Sequence, residues 1–323
     1  MILPRFELHQ PASVREAVEL AARLAPDFDF VAGGTDLLQN YKNRLNPKPH
    51  VVSLARVGEL REVTPRRVGA LVTLAELEAS ELARKELAVV AQAASKVASP
   101  LIRQTATVGG NLLVETRCFY FNQSRPWRAS KGFCMKAEGD SCLVVPQKER
   151  CYATFSGDLA PALIVLGARV RLVSAAGERE VELARFYEGD GIKRHVLRAG
   201  EMIASVEIPE PPPGLRAEYR KLRLRDAFDY PEMGLAVSFA TRGGRVESLR
   251  IAATAVDTVP LVFDGLTSAV YGQPLSDELV EVLAERVMKA VTPVKNTALS
   301  PNYRRRMVGV FLRRMLRGAG AKA

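Results

Sequence analysis

All four cysteines of this 323-residue chain, Cys118, Cys134, Cys142 and Cys151, fall in one stretch, spaced C-x15-C-x7-C-x8-C. Thiolates are soft ligands, and four of them supply one sulfur to each iron of a [4Fe–4S] cube. The spacing matches neither the close cysteine pairs of structural zinc nor the run of a bacterial ferredoxin. Taken alone it leaves open an iron–sulfur cluster, a zinc site, or cysteines without a metal. A cluster would do one-electron chemistry, whereas zinc is redox-silent.

Two glycine pairs supply a second kind of chemistry. Gly33-Gly34 follows a predicted strand, and Gly109-Gly110 is read the same way. Glycine accepts positive φ and lets a ligand approach the backbone. Successive N–H groups in such a turn form a concave nest for phosphate oxygens. Thr35 and Thr107 add hydroxyls, and Asn111 an amide. Two such turns would grip a pyrophosphate from both sides. Neither fits G-x-G-x-x-G or the P-loop pattern, so a Rossmann or P-loop site is not expected.

The elements that position these groups follow from periodicity. Residues 13–24 read as a helix, with Ser13 and Glu16 as a capping box and Val14, Ala17, Val18, Ala21 and Leu24 on one face. Strands at Phe28–Ala32 and Val51–Leu54 complete a small β-α-β unit over residues 1–55. A second unit, 56–208, contains a strand at 67–72, a helix at 82–97 stopped by Ser99-Pro100, a helix at 159–166 and a hairpin around 175–178. Its cysteine segment, about 113–153, reads as a long loop, and loops of that length are usually functional. The run PEPPPG at 209–214 marks a boundary. Residues 215–323 then read as antiparallel strands turning at Gly243-Gly244, helices at 262–270 and 276–291, and a last helix opening at Ser300-Pro301.

Composition is that of a globular protein, 47% hydrophobic and 25% charged, with a formal charge of +10 and a pI near 9.6. The basic residues are mostly scattered, which disfavours nucleic acid. An acidic partner subunit suits the balance better. The terminal helix carries Arg304, Arg305, Arg306, Arg313, Arg314 and Arg317, read as a solvated or subunit-facing stripe. The basic loop with Lys42, Arg44 and Lys48 is placed near a bound phosphate group. His9, His50 and His195 read as isolated surface or loop residues. No targeting or membrane segment is recognised, so a cytoplasmic location is expected, where clustered cysteines favour metal or redox chemistry over disulfides.

The wording of the glycine turns adds to this. VAGGTDLL at 31–38 and ATVGGNL at 106–112 resemble the two flavin-binding loops of the medium, FAD-carrying subunit of the xanthine oxidase family of molybdenum hydroxylases. SGDLAPAL at 156–163 and YRKLRLRDAFDYPEMGLAV at 219–237 resemble its later motifs, in the same order. The resemblance implies an α+β fold. A two-subdomain FAD-binding N-terminal part of the vanillyl-alcohol-oxidase-like type would precede an α+β C-terminal domain of antiparallel sheet plus helices. Ala32, Gly33, Gly34, Thr35, Asp36 and Leu37 match the first loop, and Thr107, Gly109, Gly110 and Asn111 the second. Asp158 matches an aspartate on the flavin side of FAD, Lys221 a lysine near the isoalloxazine, and Ile203 an apolar flavin contact. Phe228 and Tyr230 are nearby candidates for stacking on the ring.

The link from Leu112 to Asp158 is much longer than in most of that family. Its TRC, FNQS, GDSC and RCYAT segments resemble the inserted segment of 4-hydroxybenzoyl-CoA reductase β subunits. This second resemblance implies a [4Fe–4S] cluster on Cys118, Cys134, Cys142 and Cys151 besides FAD. It also implies a large molybdopterin-binding subunit, a small subunit with two [2Fe–2S] clusters, a doubled αβγ assembly and a ferredoxin-like donor. Arg117, Lys136, Lys148 and Arg150 would place positive charge near the cluster, and Trp127, Phe119, Tyr120 and Phe121 would shield it. The rival readings are an FAD/[4Fe–4S] subunit of another molybdenum hydroxylase that oxidises an aromatic or CoA-linked substrate, and a zinc-bearing scaffold or nucleic-acid module.

Overall fold

The structure is a computed structural model that describes residues 2–320. It contains three sheets. Strands β1 (Glu7–His9), β2 (Phe28–Val31) and β3 (His50–Ser53) form a parallel sheet in the order β1-β3-β2. The helix Val14–Leu24 makes the crossover from β1, with Ser13 Oγ accepting the Glu16 N–H. The predicted capping box is half formed, because the Glu16 carboxylate takes the Ala12 N–H instead. Ala17, Val18 and Ala21 are buried, as the apolar stripe requires.

The second sheet joins β4 (Val63–Thr64), β5 (Arg67–Gly69), β6 (Arg169–Ser174), β7 (Gly177–Glu182) and β8 (Met202–Glu207) in the order β4-β5-β8-β6-β7, all antiparallel. Ala17, Val18, Leu54, Leu71, Val173 and Met202 pack into one apolar cluster that ties the first sheet to the second. The third sheet, order β12-β11-β10-β9, comprises β9 (Arg216–Leu222), β10 (Met233–Arg242), β11 (Arg245–Thr254) and β12 (Leu261–Val262). It is antiparallel throughout, so the α+β reading holds.

The two faces of β10 differ in size. Met233, Leu235, Val237 and Phe239 meet the helices Asp277–Lys289 and Pro301–Gly320. Gly234, Ala236 and Ser238 point the other way, toward the helix Leu159–Val165. These small residues let that helix approach closely enough for Ser238 Oγ to donate to Val165 O at 2.7 Å. Gly234 also leaves space for Tyr219, since a Cβ there would stand 2.3 Å from the Tyr219 hydroxyl.

Four local readings are corrected. The helix placed at 82–97 breaks at Leu87 (φ −128°, ψ 39°) into Glu81–Glu86 and Ala88–Ser95. The break turns an almost wholly apolar second half into the core, where Val89, Val90, Ala93 and Ala94 are buried. Ser99-Pro100 starts a short helix, Pro100–Arg103, rather than only ending one. Gly109-Gly110 lies inside a short helix, Val108–Leu112, and not in a turn after a strand. Residues 262–270 divide into the edge strand β12, a helix Asp264–Thr267 and a 3-10 turn.

Candidate functional site

A cleft of about 700 Å³ opens where the first two sheets meet the third. That volume suits a small-molecule or cofactor site. One wall is the segment from Ala32 to Leu37, which leaves the C-terminal end of β2 and enters the helix Leu37–Lys42. Gly34 has φ +68°, the left-handed region that favours glycine. Gly33 is pressed against the second loop, since a Cβ there would stand 1.8 Å from Thr105 O. The backbone N–H groups of Gly33, Gly34 and Thr35 donate to nothing among the described residues. A bare, concave run of N–H groups fits phosphate oxygens.

The facing wall comes from Thr107, Gly109, Gly110 and Asn111. Thr107 Oγ1 accepts the Gly110 N–H at 3.1 Å and caps the short helix. Asn111 is turned to structural work, its Oδ1 accepting the Leu159 N–H at 3.0 Å. The Gly109 N–H donates to Ala70 O, and a Cβ on Gly109 would stand 2.9 Å from Ala70 Cβ. The second glycine pair therefore brings a helix against β5 rather than forming a matching nest.

Asp158 and Ile203 line the cleft, as do Phe228 and Tyr230. Asp158 is buried and accepts from Tyr219 Oη at 2.7 Å and Lys221 Nζ at 3.1 Å. Burial pushes the Asp158 carboxyl up and the Lys221 ammonium down, and their mutual contact pulls both back toward charge. Lys221 itself stands behind Asp158, with Nζ also donating to Lys96 O at 2.9 Å. Of the thirteen residues expected at a flavin, the other twelve line one cleft.

Two cleft residues, Arg194 and His195, were not expected there, and Arg117, expected near the cysteines, lies beside the cleft instead. Arg117 turns toward the cleft rather than the cysteines, bonding Asp36 and the Tyr230 hydroxyl with its guanidinium 4.2 Å from the Tyr230 ring centroid. Arg194 lines the cleft itself. His195, read as an isolated surface residue, stacks on Phe186 at 5.6 Å and presents a buried Nδ1 with no partner among the described residues. Burial, with Arg194 beside it, lowers its pKa to about 4, so the ring is neutral at pH 7. No motif surrounds Arg194 or His195, and only folding brings them to the cleft.

The four cysteines surround a second, small cavity, and all are free and buried. A turn of residues 118–122 presents Cys118, whose N–H donates to Asn122 Oδ1 at 3.0 Å. A tight loop presents Cys134, whose carbonyl accepts from Ala137 and Gly139 N–H. Cys151 Sγ accepts the Ala153 N–H at 3.4 Å. Tyr120, Phe121, Leu143 and Val144 are among the other lining residues, so two of the four aromatics placed there are in position. Phe119 is exposed, and Trp127 stands behind Tyr120 at 6.3 Å between ring centroids. Burial pushes the Cys118 thiol up to about 12 and the Cys151 thiol to about 11. Such sulfurs become thiolates only opposite a strong positive charge, which a metal centre supplies.

The donor set is four thiols. A single tetrahedral zinc with bonds of about 2.3 Å holds its sulfurs about 3.8 Å apart. Among the described residues no three of these sulfurs lie within 4.8 Å of one another. Four buried sulfurs facing one cavity would supply one thiolate to each iron of a four-iron cluster.

The cavity and the cleft share a wall. Lys136 lines the cysteine cavity and Glu115 lines the cleft, with Lys136 Nζ 2.7 Å from Glu115 Oε1. Lys136 is buried and also donates to Gly191 O at 2.6 Å and to Thr116 Oγ1. Arg194 Nε stands 3.2 Å from the same Glu115 oxygen. Burial opposes the Glu115 charge, but Lys136 and Arg194 outweigh it and hold its pKa near about 2. The other two cations placed near the cluster face elsewhere. Lys148 pairs with Asp140 and Arg150 lies over Tyr152.

A model of the FAD binding domain in molybdopterin dehydrogenase matches residues 4–211, and one of the CO dehydrogenase flavoprotein C-terminal domain matches 217–319. The chain belongs to the FAD-binding medium subunits of the molybdenum hydroxylase family. It is 36% identical over 241 residues to the aldehyde oxidoreductase FAD-binding subunit PaoB of Escherichia coli, covering 70% of this chain and 76% of that one. It is 28% identical to the carbon monoxide dehydrogenase medium chain of Afipia carboxidovorans, over 100% of this chain and 99% of that one. The solved carbon monoxide dehydrogenase from Hydrogenophaga pseudoflava superposes with a TM-score of 0.82 at 26% identity, over the full length of both chains.

In this medium subunit part of the terminal basic stripe is structural, while Arg305, Arg306 and Arg314 stay exposed. Arg304 is buried and donates to Glu232 O at 2.8 Å and Val294 O at 3.0 Å, while Arg313 and Arg317 pair with Glu281 and Asp277. The loop with Lys42, Arg44 and Lys48 lies outside the cleft lining. The backbone carbonyls of Asn43 and Arg44 instead receive the buried Arg128 of the cysteine segment. No helix among the described residues is long and apolar enough to cross a membrane.

Proposed function

We propose that this medium subunit carries a [4Fe–4S] cluster on Cys118, Cys134, Cys142 and Cys151 beside its FAD, and is the electron-entry subunit of a 4-hydroxybenzoyl-CoA reductase. The observation that carries this reading is a set of four buried sulfurs around one cavity, walled from the flavin cleft by the Lys136–Glu115 pair. When bound, the two groups supply one-electron and two-electron exchange. The chain's residues bind, orient and exclude water. The Gly33, Gly34 and Thr35 N–H groups hold the pyrophosphate, and Asp158, fixed by Tyr219 and Lys221, orients the flavin end. Tyr120, Phe121, Leu143 and Val144 keep water from the sulfurs. Lys136 offsets thiolate charge, and Glu115 keeps that ammonium in place.

On this reading the residue ranges 1–55, 56–208 and 215–323 are three working units. A ferredoxin-like donor meets the cysteine side. A large molybdopterin subunit binds substrate, and a small subunit with two [2Fe–2S] clusters lies between. The work is cytoplasmic, and the net reaction is reductive removal of the phenolic hydroxyl to give benzoyl-CoA. A second reading, oxidation by a related enzyme, is favoured by the 36% identity to an aldehyde oxidoreductase subunit. The purified complex is assayed for benzoyl-CoA formation with a low-potential donor, and for dye reduction with aromatic aldehydes. Turnover only in the second assay rejects the reductase reading and keeps the oxidising one. Iron absent from a flavin-loaded chain rejects both.

A further inference from the structure

We propose that Glu7, His9 and His50 form a three-ligand site for a divalent transition-metal ion of the zinc class, separate from both redox sites. Sequence reading left these histidines isolated because they stand 41 positions apart. Parallel pairing of β1 with β3 sets Glu7 beside His50, and His9, two residues on, shares the face of Glu7.

The distances are those of a metal site. His9 Nε2 lies 3.2 Å from His50 Nδ1, Glu7 Oε2 lies 3.4 Å from His50 Nδ1, and Glu7 Oε1 lies 3.8 Å from His9 Nε2. A tetrahedral zinc with bonds of about 2.0–2.1 Å separates neighbouring ligand atoms by about 3.3 Å. Among the described residues this is the one group of three or more His, Cys, Asp or Glu whose donor atoms all lie within 4.8 Å. The rings are tilted at 46° with centroids 5.4 Å apart, so the nitrogens converge rather than the faces stacking.

Chemistry supports the assignment. Two imidazoles and one carboxylate form a mixed N/O set that suits zinc, and three protein ligands leave a fourth position for water. The only ion-pair partners of Glu7 among the described residues are these two rings, so no lysine or arginine occupies the place of the cation. The histidine side chains are half-buried and Glu7 is 66% exposed, which gives the ion a path from solvent. None of the three lines the flavin cleft or the cysteine cavity. A bound ion would staple a three-residue edge strand to the centre of its sheet.

The test uses the flavin-loaded chain, stripped with a chelator and titrated with Zn²⁺ alone by calorimetry and with Co²⁺ by absorption. The expected result is one equivalent whose cobalt spectrum has d–d bands of a four-coordinate N/O site and no sulfur charge transfer. That equivalent persists in a Cys118→Ser/Cys134→Ser chain, which separates it from the cysteine cavity. An outer-shell partner alone is worth roughly 10–100-fold in metal affinity, so His9→Gln/His50→Gln should weaken binding by more than about 100-fold. Unchanged flavin stoichiometry in that variant serves as the fold control. The proposal is overturned if wild type takes up no zinc beyond the cysteines, or if the histidine variant binds as well as wild type.

Discussion

The flavin cleft and the cysteine cavity are neighbours built on opposite plans. The cleft is shaped by backbone, with bare N–H groups at Gly33–Thr35 and a helix brought close by glycine. Its buried carboxylate, Asp158, is buttressed from behind by Tyr219 and Lys221 of β9. The cavity is shaped by loops with one short helix, Arg125–Ser130, and its chemistry resides in four side-chain atoms. A backbone site tolerates side-chain change unless a Cβ collides. A thiolate site fails when one sulfur is lost.

The largest expected contrast comes from Cys134→Ser. Iron content should fall nearly to zero while flavin stays near one per chain, read by metal analysis and the visible spectrum. Joint loss of both groups would merge the two sites into one folding unit. The reciprocal change, Gly33→Val, drives a side chain into Thr105 O and should abolish flavin binding while iron is retained. Gly110→Ala, whose Cβ meets only Thr107 Oγ1 at 3.0 Å, should weaken it far less, and flavin retention on gel filtration separates the two.

The shared wall gives a smaller effect on both sides. Lys136→Met leaves the half-buried Glu115 with Arg194 and the Thr116 N–H as partners, and should cost up to about 3 kcal/mol in denaturant unfolding, the lower end for a broken buried pair. It should also lower the reduction potential of the cysteine site, because a positive charge is removed. An unchanged potential would detach Lys136 from the sulfurs. His195 gives a pH effect of about 3 kcal/mol at most, from its pKa of about 4 against 6.5. Its folded pKa is depressed, so the unfolded chain binds more protons between these values. Stability of the flavin-free chain should therefore fall as pH drops from 6.5 toward 4, and His195→Phe should flatten that limb. The smallest change is Tyr219→Phe, which removes one hydrogen bond to Asp158 and should cost about 1–2 kcal/mol with slightly weaker flavin retention.

Part of this was legible in the residues. The first glycine pair announced a positive-φ turn after a strand, because only local backbone chemistry is involved. Gly109-Gly110 misled for the same reason. Its glycines serve a close approach to Ala70, a distant contact that no local pattern records. The solvated basic stripe read on the last helix holds at Arg305, Arg306 and Arg314, which are exposed, and fails at Arg304, whose burial depends on what packs against that helix.

The sequence by itself determined the cysteine count and spacing, the first glycine turn and the strand alternation, all properties of residues near one another along the chain. Only the tertiary structure decided that four sulfurs share one cavity, that Lys136 reaches Glu115 across its wall, and that His9 meets His50. Those contacts depend on strand register and loop closure over tens of residues, and their distances are fixed only when the core packs.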